Sequence, residues 1–244
     1  ENAGKGFSVL RSAMGFLTAM AMAQISSMIM SFFSNALKIA KEFRGKMAQL
    51  NFAESILSKK GMDITREELD GFVDTVVDKL KYVSKIDATD IVASVSQMSA
   101  EFKLAKKDVL GLSEAIAFMQ LSERSFGEEI SNGTSIVNAA LDGRSNYFNK
   151  YGINITKASI KEKVYAMGLA ESGQAITKEM SNQAAIAILI EQTTGKTDEL
   201  IKAIEKTNPA LAKQIEAEMV AQGATLAFGD EVLSLTDAWN NFLL

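Results

Sequence analysis

The apolar positions recur along most of the chain at intervals of three and four, and that spacing predicts helix after helix. Leu69, Phe72, Val73, Val76, Val77 and Leu80 fall on one face of a helix that the capping box Thr65-Arg66-Glu67-Glu68 opens and that runs to about Tyr82. Ile91, Val92, Val95 and Met98 line the next, expected to be capped at Asp87–Asp90 and to end near Phe102. A polar break at Lys106-Lys107-Asp108 precedes a helix carrying Val109, Leu112, Ile116 and Met119, and Phe126–Leu141 reads as one more. Thr197–Lys206 is short, Asn208-Pro209 opens a helix expected to end near Gly223, and Thr236–Leu244 begins a last one. No stretch alternates in the manner of a strand. The fold class this predicts is all-α, a compact multi-helix bundle of about ten amphipathic helices joined by short loops.

The N-terminal region differs from the rest. Ser12–Leu37 carries no formal charge over 26 residues and includes Phe16, Leu17, Ile25, Ile29, Phe32 and Phe33. As a helix it would be about 39 Å long, against roughly 30 Å for a bilayer core. Arg11 precedes it, and Lys38, Lys41, Arg44 and Lys46 follow, as expected where cationic side chains meet lipid headgroups. Gln24, Asn35 and several serines interrupt it, and small residues of this kind also line buried seams between helices. Two readings stand: a membrane-competent span, or a seam for self-association. Ile39, Phe43, Met47, Leu50, Phe52, Ile56 and Leu57 extend the helix as an amphipathic stretch that Gly61 ends. The expected organisation is therefore a long hydrophobic and amphipathic helical segment, 1–60, followed by a helical domain, 61–244.

Composition narrows the chemistry. The chain has no Cys and no His, which removes disulfides, thiolates, the commonest general base and the commonest transition-metal ligand. An enzyme here would rely on carboxylates, Lys, Ser/Thr or Tyr alone, and no residue stands out as catalytic, metal-binding or cofactor-binding. The net charge of −4 hides a split, +5 over residues 1–60 and −9 over 61–244. The acidic remainder lacks aromatic interleaving, so specific nucleic-acid recognition is not expected. Gly195-Lys196-Thr197 resembles the end of a phosphate loop, but Ile190 stands where the motif needs its first Gly. Glu67/Glu68 and Glu128/Glu129 read as first-turn acids, since neighbours on a helix diverge by about 100°.

One stretch, Ala139–Gln192, is more specific than its composition. Leu141-Asp142-Gly143 is a small-residue turn, and Tyr147–Tyr151 a short helix stopped by Gly152. Ile153 then leads to a helix capped by Thr156 and stopped by Gly168. Ile176-Thr177-Lys178-Glu179 caps a second helix, which ends Ile190-Glu191-Gln192-Thr193. This order resembles a compact helical region of phage tail tape-measure proteins, closely over Ala139–Gln192 and loosely over 85–200. The resemblance implies a structural protein that occupies the tail tube, sets tail length and leaves before the genome passes. It implies assembly in the host cytoplasm, residence in the virion tail, and as partners its own copies (a homo-oligomer), the tube protein and tail-tip proteins. A membrane-inserting segment would bring host-membrane contact during genome ejection. The opening on Glu1 and the apolar close Asn-Asn-Phe-Leu-Leu are those expected of a cut through such a longer chain. The alternative is a membrane-active helical protein of the pore-forming type.

Overall fold

A computed structural model describes residues 31, 32 and 34–242, and beyond 227 only the side chain of Leu233 with Gly229. Among the described residues there are ten helices and no strand. They are α1 (34–59), α2 (Arg66–Lys79), α3 (Lys85–Phe102), α4 (Lys106–Ser125), α5 (Gly133–Leu141), α6 (Ser145–Asn149), α7 (Lys157–Ala166), α8 (Lys178–Thr193), α9 (Thr197–Thr207) and α10 (Pro209–Phe242). The all-helical expectation holds. The greater part of Ser12–Leu37 lies outside the described residues. No described helix is long and apolar enough to cross a membrane.

Contacts group the chain into two compact units, Arg44–Val220 on the one hand and Glu1–Phe43 with Ala221–Leu244 on the other. This grouping rests on packing, whereas the sequence-based division at residue 60 rests on hydrophobicity. In the larger unit one hydrophobic core runs from Leu50 to Ile215. α3 and α4 lie at its centre, α2 packs on α3, and α8 packs on α4, α5 and α7. Leu50, Leu57, Leu69, Leu112, Ile116, Met119, Ile136 and Ile186 are fully enclosed, and each such burial contributes about 1.5–3 kcal/mol. Leu50, Ala53 and Leu57 of α1 are thus part of this core. In the smaller unit Ala36 and Ala40 are completely buried, and a Cβ placed on Gly229 would strike the Ala36 carbonyl and lie 2.9 Å from Ala40 Cβ. α1 and α10 touch backbone to backbone there, a distance only small residues allow.

Several boundaries differ from the spacing-based expectation, each for a local reason. α3 begins at Lys85, not at Asp87: Ser84 is the N-cap, accepting from the Asp87 amide at 3.1 Å. Lys106-Lys107-Asp108 is not a break but the first turn of α4. The chain turns earlier, where Lys103 adopts a left-handed conformation (φ 53°). Phe126–Leu141 is not one helix, since α4 runs to Ser125 and a loop intervenes before α5. Glu128/Glu129 consequently sit in that loop and not in a helical turn. α10 passes through Gly223 without ending. A mid-helix Gly costs only about 1 kcal/mol, too little to stop a helix held by packing elsewhere.

Candidate functional site

The stretch that carries the resemblance forms one local body, α5 to α8. At its start Gly143 closes α5 with φ +64°, and its Cα lies so near α7 that a Cβ would come within 3.0 Å of the Lys157 nitrogen. Phe148 of α6 is fully buried, and Tyr147 meets its ring edge-on at 4.8 Å. Gly152, at φ +68°, ends the turn after α6 and offers its carbonyl to the Lys196 ammonium at 2.6 Å. The extended segment 153–155 then buries Ile153 and Ile155 completely. Between them Asn154 exchanges two backbone hydrogen bonds with the Gln192 side chain of α8: its N–H donates to Oε1 at 2.6 Å and its carbonyl accepts from Nε2 at 3.0 Å. Thr156 forms a capping box with Ser159 for α7. Gly168 turns the chain after α7 at φ +67°, and Thr177 caps α8 by accepting from the Met180 amide at 3.2 Å. Every Gly and Thr picked out in this stretch is thus a turn, a close approach or a cap.

A second cluster adjoins it. Glu123 is only 1% exposed, yet it carries a carboxylate. One oxygen accepts from the Ser131 amide at 2.7 Å, the other from the Tyr147 hydroxyl at 2.6 Å. Nearby Glu128 accepts from the Tyr151 hydroxyl at 2.5 Å and pairs with Lys150. Lys150, then Tyr151, hold the Glu128 carboxyl below its usual range. Burial first, and the facing carboxylate second, push both tyrosine hydroxyls above theirs. Sequence reading passed over Glu123. Its signal was there: with Leu112, Ile116 and Met119 it keeps the four-three-four spacing of the apolar stripe.

The residues nominated from sequence distribute as follows. Phe16, Leu17, Ile25, Ile29 and Phe33 lie outside the described residues, and Phe32 is half exposed. Lys38 and Lys41 are exposed, Arg44 is half-buried, and Lys46 is half-buried with its ammonium 2.5 Å from Asp90 of α3. Gly195 and Thr197 border a cavity of about 360 Å³ that also meets Asp78, Lys79, Glu114 and Asp198, whereas Lys196 turns its ammonium to the Gly152 carbonyl. Lys79 is spent on Glu114 at 2.6 Å, leaving the cavity net negative, the wrong sign for a phosphate. Thr197 is the first residue of α9, whose cap position falls on Lys196. Among the described residues no group of three carboxylates is placed to hold a metal ion.

These features define an all-helical body whose distinctive residues set shape. No family model, no curated protein and no solved structure matches the chain.

Proposed function

We propose that the chain is part of a tape-measure protein of a phage or phage-like tail, a non-enzymatic structural component that sets tail length and fills the tube before genome ejection. The observation that carries this reading is the Ala139–Gln192 order. The residues bearing the resemblance, Gly143, Tyr151-Gly152-Ile153, Thr156, Gly168, Thr177 and Gln192, all serve one local body. Its partners are further copies of itself, the tube protein and the tail-tip proteins, and its place is the tube lumen. Ser12–Leu37 serves as a packing or membrane-inserting element. The test is made on particles encoding the chain: mass spectrometry of purified tails finds its peptides, and an in-frame deletion shortens the tail in electron micrographs. Tails without the peptides, or of unchanged length, overturn the reading.

The charge-free Ser12–Leu37 stretch favours one other reading, a membrane-active helical protein of the pore-forming type. Flotation of the full chain with liposomes, resistant to high salt, together with peptides absent from tails, would select it.

A further inference from the structure

The loop 126–132 joins α4 to α5, and its apolar residues do little to hold it. Phe126 is 65% exposed and Ile130 51%. Polar ties do the holding. The Ser131 amide donates to buried Glu123, and the Ser131 carbonyl accepts from Gln120 Nε2 at 2.8 Å. The Glu128 amide donates to the Glu123 carbonyl at 2.9 Å. Side-chain ties to α6 come at the tip, where the Glu128 carboxylate takes the Tyr151 hydroxyl and the Lys150 ammonium. We propose that this loop is a carboxylate latch, which acid opens at its tip while the core of the Arg44–Val220 unit stays folded.

The groups facing Glu128 decide the sign. From the end of α6 come Lys150 and Tyr151, with Tyr147 a turn away; from α4 come Glu123 and Arg124, the latter engaged by Glu218 of α10. Glu129 is its neighbour in the loop. Lys150 is therefore the cation left to Glu128. A carboxyl held below its usual value of 4.5 binds its proton less readily latched than free. Its contribution is complete above that value and lost as pH falls through the lowered one. The core stretch 109–121 depends less on charge, since Leu112, Ile116 and Met119 are held by apolar contact and its one acid, Glu114, pairs with the exposed Lys79. Opening separates Phe126 from Tyr151, whose rings stand 5.9 Å apart, and uncovers both tyrosines of the cluster.

Hydrogen exchange on the full chain, corrected for intrinsic rates and followed in peptides covering 126–132 and 109–121, tests this. Between about pH 6 and about pH 3.5 the loop amides lose protection severalfold while 109–121 keeps its own. Glu128→Ala exposes the loop to the same degree at neutral pH and makes it insensitive to pH; Glu129→Ala behaves as the parent. Tyr151→Phe, which keeps the ring and removes the donor, gives partial opening, and circular dichroism shows each variant folded. The proposal fails if loop and core lose protection together, if Glu128→Ala leaves the loop as protected as before, or if Glu129→Ala matches it.

Discussion

Replacing Ser96 by Ala should make the protein more stable. Ser96 lies within α3, completely buried, and among the described residues its Oγ is the buried side-chain atom that lacks a hydrogen-bond partner. Its neighbours show the usual solution. Ser99, Ser113 and Ser122 each donate to the carbonyl four residues back, at 2.7 to 2.8 Å. An unmet buried hydroxyl costs about 1–3 kcal/mol, and removing it returns that sum. Alanine adds roughly 0.5 kcal/mol in helix propensity. The void left by one oxygen takes away about 0.3 kcal/mol at about 24 cal/mol per Å³. The net expectation is a gain of about 2 kcal/mol, or roughly 4–8 °C in Tm for a chain of this size. Ser113→Ala is the matched control: equally buried, it breaks a bond worth about 1 kcal/mol, which the propensity gain only partly offsets. Equilibrium unfolding in urea, read as the midpoint at constant slope, separates the two. If Ser96→Ala falls below the parent, or gains no more than Ser113→Ala, the reasoning about the unmet hydroxyl is wrong.

Three further outcomes follow from the packing. Gly143→Ala combines a left-handed conformation, about 1–2 kcal/mol, with a collision against the α7 backbone, about 1–3 kcal/mol. Gly168→Ala shares the conformation but meets nothing within 4 Å, so it should cost only the first of these in the same urea assay. In thermal melts, a piece covering 44–220 should unfold cooperatively, whereas one covering 61–220 lacks Leu50, Ala53 and Leu57. Losing them takes away about 4–7 kcal/mol, comparable to the whole stability of a domain. Gln192→Ala removes both ties to Asn154 and should raise exchange at the Asn154 amide about tenfold, leaving α3 unchanged.

What could be read in the sequence was what local chemistry dictates. The caps at Thr65, Thr156, Thr177 and Asn208, and the turns at Gly61, Gly152 and Gly168, each depend on residues within four positions, and each stands where expected. The apolar face of α2 was legible for the same reason. Misread elements depend on something distant or on a rule broken locally. Lys103 takes a left-handed turn that residue type alone assigns to Gly or Asn. The Ser84 cap was hidden by a string of equally good capping residues just behind it. The 126–132 loop interrupts apolar spacing that looks continuous, because Tyr151, which holds its tip, comes about twenty residues later. The Asn154–Gln192 pair spans 38 residues and leaves no periodic trace.

The proposed role makes a physical demand that this fold sharpens. A ruler must convert residues into length, and the rate depends on conformation. The 177 residues of the Arg44–Val220 unit would extend about 265 Å as one continuous helix. Folded as a compact body of that size they would span about 40 Å. The unit's own helices argue against the first state. α5, α6 and α7 are 9, 5 and 10 residues long, below the roughly 12–15 at which an isolated helix holds in water. They exist because Ile136, Phe148, Ile160 and Val164 are buried in the shared core, and a drawn-out chain would surrender that burial. On the tape-measure reading this segment is therefore a bead on the ruler and not a graduation of it. Deleting it in frame shortens a tail by tens of ångströms where it stays folded, and by hundreds where assembly unravels it.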